Sequence, residues 1–362
     1  MGTSHSLIQP LTVAWEPGIR PGGNSQIIAV STDLFAVFRG RPFICQRNLA
    51  ALANRDLFSR HIIDILRGLA TAPCKQHFRW IFPAMNPMQN GSETQAYRLK
   101  PADSSVVRLV QLTDCHILAG AQDCLKGMNT RASFEAVCDS LMSNHADLDL
   151  LLATGDLSQD ASPESYRYLA QRFDALRRPV FWLPGNHDDA ELMRAQLRGE
   201  WIFAHKQLLT GNWLIVLLDS TVAGETGGQL SAAQLEFLDT SLQANASRHA
   251  LVCLHHQALP AGSEWIDRQG LQQARKLTDT LKSHANVRAV LWGHVHQQAQ
   301  WRSDGIEWMS TPSTCVQFKP GSETFALDDL APGYRRIELH ADGRIVTEVQ
   351  RLATRNFPGV GE

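Results

Sequence analysis

No run of about 18 apolar residues occurs in the 362-residue chain, so the sequence offers no membrane-spanning helix. The opening residues, MGTSHSLIQPLTVAWEPG, do not read as a secretory signal, lacking its basic segment and long apolar stretch, and the scattered cysteines point to a reducing cytoplasm. No C-x-x-C pair is present. The seven cysteines (45, 74, 115, 124, 138, 253 and 315) are odd in number and scattered, so neither a disulfide framework nor a thiolate zinc site is indicated. Net charge is also nearly absent, at −2, but it is unevenly spread. Residues 1–100 hold 11 Lys/Arg against 5 Asp/Glu, or +6, and the remainder holds 23 against 31, or −8. So acidic a body argues against nucleic acid as a partner, because a nucleic-acid groove needs a basic stripe. It suits carboxylates gathered around cations.

What is present is the composition of a soluble globular protein, 44% hydrophobic and 19% charged, long enough for one large domain or two ordinary ones. Residues 1–100 read as a basic N-terminal extension, starting with the turn-rich EPGIRPGGNS. Residues 50–70 show apolar spacing that predicts an amphipathic helix docked on the body. After the linker-like NPMQNGSETQ the pattern changes, and 101–354 reads as one α/β domain. Short apolar strands at 106–112, 148–154, 179–184 and 213–219 alternate with helices. One helix is predicted near 130–145, a second is capped by Ser162 with Pro163 at its first position, and a third opens with a capping box at 231–234. Asp304-Gly305 and Ala341-Asp342-Gly343 predict hairpin turns in a β-rich tail.

The chemistry stands at the strand ends. LVQLTDCHIL ends in Asp114-Cys115-His116, LLLATGDLSQD in Gly155-Asp156, and FWLPGNHDD in Gly185-Asn186-His187-Asp188. LVCLHHQALP ends in His255-His256, and VLWGHVHQQ in Gly293-His294-Val295-His296. Each alone has an ordinary explanation, as a turn residue or a hydrogen-bonded buried histidine. Five such termini in succession do not. Carboxylate, amide and imidazole donors together suit divalent or trivalent ions such as Mn, Fe or Zn. Seven ligands are too many for one ion but serve two if a carboxylate is shared, and Asp156, behind a glycine, can bridge. Two ions about 3.5–4 Å apart can hold a hydroxide and clamp both oxygens of an in-line displacement at phosphorus.

D-x-H, G-D, G-N-H-D, H-H and G-H-x-H in this order resemble the calcineurin-like metallophosphoesterases over roughly 106–352. Within them, the tail TPSTCVQFKPGSETFALDDLAPGYRRIEL is most similar to class III cyclic-nucleotide phosphodiesterases. The resemblance implies a four-layer α/β/β/α sandwich and hydrolysis of 3′,5′-cyclic AMP to 5′-AMP by a metal-bridging hydroxide. It places Asp114, His116 and His296 on a first metal and Asn186, His255 and His294 on a second, with Asp156 bridging. His187 would meet the phosphoryl group or protonate the leaving alkoxide, and Asn186 and His296 would also touch substrate. His256 stays open as an alternative to His255. Asp188 is expected to orient a neighbour, and Cys115 to point into the core. His205, His249, His284 and His340 lack any motif, and Trp182, Trp213 and Trp292 read as core. Residues 1–84 match nothing in the family pattern, whose unit could begin at Met85 or Met88, and a homodimer remains open.

Other readings fit less well. A phosphoprotein phosphatase of this superfamily would carry GDxxDRG and GNHE, whereas GDLSQDAS lacks the arginine that grips a monoester. A nuclease would want a basic channel, and a lipid-linked diphosphate hydrolase an amphipathic lid. A non-catalytic scaffold on the same fold would not need the full ligand set.

Overall fold

Apolar runs such as Leu150–Thr154 (LLLAT) and Trp213–Leu217 (WLIVL) are buried along their whole length, as expected of strands covered on both faces. The computed structural model describes residues 93–359, together with three short strands, Ile27–Ala29, Phe35–Val37 and Arg79–Trp80. Those three form an antiparallel sheet with Phe35–Val37 in the centre. The helix predicted over 50–70 lies outside the described residues. Backbone contacts divide the chain into Met1–Pro87 and Met88–Glu362.

The second unit is built on two large sheets. One has six strands in the order Ile202–Phe203, Val180–Leu183, Leu150–Thr154, Val106–Leu112, Gly333–His340, Ile345–Arg351. Its first four strands are parallel neighbours, and the last two run antiparallel. The other has seven, in the order Ala299–Ser303, Ile306–Ser310, Val287–Trp292, His249–Cys253, Trp213–Leu217, Gln207–Thr210, Tyr97–Leu99. Its middle four are parallel. Tyr97–Leu99 pairs with Gln207–Thr210, so this sheet takes in residues ahead of 101. A three-residue edge strand carries too little apolar pattern to be seen in the sequence.

Alternation along the strands sorts the core into layers. Leu109, Leu150, Leu152 and Phe181 of the first sheet meet Ile215, Leu217, Leu251 and Leu291 of the second. The opposite side of the first sheet, with Val110, Leu112, Leu151 and Ala153, packs on helices Thr130–Asn144 and Pro163–Ala175 through Phe134, Leu141, Leu169 and Phe173. The opposite side of the second, with Leu214, Val216 and Val252, packs on helices Ala232–Ala244 and Ala274–Lys282 through Leu238, Leu242, Leu277 and Leu281. The order is helix, sheet, sheet, helix, as the four-layer reading required.

Local signals explain the boundaries. Ser162 Oγ accepts the Ser165 N–H at 3.2 Å ahead of Pro163. Ser231 likewise accepts the Gln234 N–H at 3.2 Å, but the Gln234 side chain does not return to Ser231. Its Oε1 accepts the Asp219 N–H at 3.0 Å, so half of the predicted capping box is spent tying the helix to the end of the Trp213–Leu217 strand. Asp304 (φ 52°) and Gly305 (φ 77°) make the hairpin between Ala299–Ser303 and Ile306–Ser310. Among the described residues, no helix is long and apolar enough to cross a membrane.

Candidate metal centre

Five parallel strands, Val106–Leu112, Leu150–Thr154 and Val180–Leu183 in one sheet and His249–Cys253 and Val287–Trp292 in the other, deliver their following residues to one place. Bonds within and between the sheets hold the strand ends together. Gln111 Nε2 donates to Thr154 Oγ1 at 2.6 Å and to the Trp292 carbonyl at 3.2 Å. The His294 N–H lies 3.1 Å from both carboxylate oxygens of Asp114, and the Gly293 N–H reaches the His255 carbonyl at 3.1 Å.

The turns that follow these strands are bent hard. Asp114, His116, Asp156, His294 and His296 all have positive φ, between 46° and 64°, a region non-glycine residues seldom occupy. Five such residues in one cluster mark a site where backbone strain is held by the surroundings. Gly155, at φ 89°, sits against the His255 ring and the Gly185 nitrogen, leaving no room for a Cβ.

The side chains converge. Asp114, His116 and His296 offer donor atoms within 4.8 Å of one another, as do Asp114, Asp156 and His255. His255, His256 and His294 form a third such group, and His116, Asp156 and His187 a fourth. Asp156 Oδ2 lies 3.3 Å from His255 Nε2 and 3.7 Å from His116 Nε2, so it stands between the two ends of the cluster. His296 Nε2 is 3.3 Å from Asp114 Oδ1 and 3.1 Å from His116 Nε2. Asn186 lines the same cavity, of about 240 Å³, with His187, His294 and Asp156.

These residues fit metal ions on grounds internal to the structure. The buried Nε2 atoms of His255 and His294, Nδ1 of His116 and Oδ1 of Asn186 have no hydrogen-bond partner among the described residues. Buried polar atoms are rarely left so, and several orphaned lone pairs in one cavity call for a cation. Opposite ring nitrogens are tied down: His255 Nδ1 bonds the Thr154 carbonyl at 2.9 Å and His296 Nδ1 the Val316 carbonyl at 2.7 Å. Each such bond leaves Nε2 as the lone-pair donor.

For His116, His256 and His294 the electrostatics agree. Burial depresses His116 to about 3 and His256 to about 3, and it holds His294 well below its usual value with help from the neighbouring imidazoles. Neutral imidazole is the form that ligates. Burial opposes ionisation of Asp114 and Asp156, but the surrounding histidines win and keep both carboxylates charged. His255 is also opposed by burial, yet the Asp156 and Asp114 carboxylates lift it to about 9.

His187 is half-buried. Its N–H donates to Asp156 Oδ1 at 2.8 Å, its ring meets that of His116 edge-on at 5.0 Å, and its Nδ1 lies 3.3 Å from the Gln159 carbonyl. Asp188 turns away from the donor cluster and braces the loop, accepting from the N–H groups of Gly185, Leu157 and Ser158 and from the Tyr166 hydroxyl. Burial, then Asp156, raises it to about 6. His256 Nδ1 bonds Ser220 Oγ at 2.8 Å while its Nε2 is unpartnered, so both histidines of the pair face the cluster. Cys115 is buried among the core of the first sheet. His205, His249, His284 and His340 stay outside, against Tyr97, Trp213, Asp239 and Glu338 respectively, and Trp182, Trp213 and Trp292 are core.

Two supports escaped the sequence. Phe318 stacks flat on His296, 3.9 Å between centroids and 9° between planes. Ser220, after Trp213–Leu217, holds His256. Phe318 stands in the quoted tail QFKPG, but nothing local ties it to a histidine more than twenty positions away.

The family model for calcineurin-like phosphoesterase matches residues 107–298, which include every candidate ligand. The chain belongs to the calcineurin-like phosphoesterases. It is 43% identical over 257 residues to the 3′,5′-cyclic adenosine monophosphate phosphodiesterase CpdA of Haemophilus influenzae, covering 71% of this chain and 94% of that one. The protein of the same name from Pseudomonas aeruginosa is 41% identical, over 70% and 92%. The 3′,5′-cyclic-nucleotide phosphodiesterase alr5338 of Nostoc is 39% identical, over 68% and 92%. Family membership and the His/Asp groups together imply divalent metal ions.

Proposed function

We propose that this chain hydrolyses 3′,5′-cyclic AMP to 5′-AMP at a two-metal centre in its 101–354 region. The observation that carries it is a complete Asp/His/Asn cluster, with Asp156 between its two ends, in a chain 43% identical to a cyclic AMP phosphodiesterase. Asp114, His116 and His296 would hold one ion, Asn186, His255 and His294 the other, and Asp156 both. Fe, Mn and Zn suit this mixture of oxygen and imidazole donors. The bound pair would supply charge neutralisation at phosphorus and an activated water.

The chain's own residues do the rest. Thr154 and Val316 carbonyls aim His255 and His296 into the cavity. Asp188 fixes the Gly185–Asn186–His187 turn, so Asn186 Oδ1 and the His187 ring share one mouth. With its Nδ1 engaged by Gln159, His187 presents Nε2 to the substrate, where it can steady the phosphoryl oxygens or pass a proton to the departing 3′ oxygen. Asn186, His187 and His296 are the contacts for the phosphate.

A panel of purified, metal-loaded protein against cyclic nucleotides, linear diesters and monoesters tests this. Cyclic AMP should lead, with 5′-AMP as product. Intact cyclic AMP beside rapid cleavage of another natural phosphoester sinks the proposal, and no cleavage of any substrate favours a scaffold.

A further inference from the structure

The cavity over the metal centre has a second wall, and it is aromatic. Trp265, on the short helix Glu264–Asp267, meets Phe318 at 5.0 Å and Phe325 at 5.2 Å, both edge-on, and Phe318 meets Phe325 at 5.5 Å. All three rings line the cavity that His187 and Asn186 also line. Phe318 is committed to His296. Phe325 keeps a face open to the cavity side: it is 45% exposed. Its neighbour Lys126 holds Nζ 5.2 Å from the ring centroid, enriching the wall in cation–π character without closing it. The wall is built, not accidental. Trp265 Nε1 donates to Ser322 Oγ at 3.3 Å, which ties the helix to the loop carrying Phe325.

One polar group stands in this wall with a definite polarity. Gln269 lines the cavity, and its Nε2 donates to the Trp265 carbonyl at 3.3 Å. That leaves Oε1, an acceptor without a partner among the described residues, as the amide's free end. Adenine offers a donor amino group at position 6, where guanine offers an acceptor oxygen. Aromatic faces hold any base by stacking, so the choice between bases falls to such an edge contact.

We propose that Phe325 and Trp265 form the face on which the substrate's base stacks, with Gln269 Oε1 selecting the 6-amino edge of adenine. This deepens the cyclic AMP reading above and rests on it. The phosphate then lies toward His187, on a loop of the first sheet, and the base toward the aromatic wall, whose Trp265 follows a strand of the second.

Steady-state kinetics with cyclic AMP, cyclic GMP and ribose 3,5-cyclic phosphate, which lacks a base, provide the test. Phe325→Ala should reduce the kcat/KM advantage of cyclic AMP over the base-free substrate by about tenfold, the scale of one lost stacking contact. Gln269→Leu should bring cyclic AMP and cyclic GMP close to parity. Unchanged ratios in both variants overturn the proposal, as does a wild type that treats the base-free substrate as well as cyclic AMP. Calorimetric titration with 5′-AMP and ribose 5-phosphate separates this from the reaction itself. If wild type cleaves no cyclic nucleotide but binds 5′-AMP more tightly, and Phe325→Ala removes the difference, the reaction assignment fails and the base site stands. Equal affinities for the two ligands sink the base site whatever the reaction.

Discussion

A single carboxylate separates the two ends of the donor cluster. Asp156 Oδ2 is within 3.7 Å of His116 and 3.3 Å of His255, and its other oxygen holds the His187 N–H. Asp156→Asn keeps the shape and the acceptor but removes the shared negative charge. Metal content, measured by elemental analysis, should fall from two ions per chain to one or fewer, and turnover should fall with it. Two retained ions with near-normal activity would contradict a bridging role. His187 contributes no donor required by either proposed ion, so His187→Ala should keep both ions while kcat on cyclic AMP drops by about 10²–10⁴-fold, the usual range for a positioned acid. If it protonates the leaving oxygen, the loss should be much smaller on an ester with a good leaving group. Equal losses on both substrates would instead assign it to steadying phosphoryl charge.

At the scale of elements, the ends of strands carried most of the message. Leu150–Thr154 and Trp213–Leu217 are buried on both faces and so are unbroken apolar runs, visible without any partner. The candidate ligands follow such runs directly, which is why Asp114, Asp156, Asn186, His255, His294 and His296 could be named from the sequence. Edge strands such as Tyr97–Leu99 and Ile202–Phe203 are only two or three residues long and gave no such signal. The aromatic wall was equally silent, because Trp265, Phe318 and Phe325 come from separate loops that only the tertiary fold assembles. Lys206, just ahead of Gln207–Thr210, is another product of assembly. It is buried, donates to the Trp182 carbonyl at 2.7 Å and lies 3.6 Å over the Trp182 ring, clipping one sheet to the other. Burial, only partly offset by Glu93, lowers its amine from 10.5 to about 7. Between those values the unfolded chain binds more protons than the folded one, so this residue makes stability rise with pH across that window. Melting temperatures of wild type and Lys206→Met should therefore diverge in favour of wild type as pH goes from 7 to 10. Parallel curves would show that the amine keeps an ordinary pKa.

For the whole molecule, the division between Pro87 and Met88 and a family match beginning at residue 107 suggest that the phosphoesterase unit stands without the basic extension. A chain starting at Met88 should stay soluble, bind the same number of ions and keep kcat within a few-fold. An insoluble or inactive product would show that residues 1–87 cover part of the core. The same scale gives the cross-sheet arrangement a further meaning. Asp114, His116, Asp156 and Asn186 follow strands of one sheet, while His255, His294 and His296 follow strands of the other. During synthesis the first four emerge together, as half a cage on an unfinished scaffold. The imidazoles that complete it come last, from the far sheet. On the proposed ligand assignment the cage closes only after the second sheet's strands have been made, and a chain that stalls before His296 would lack one of its donors.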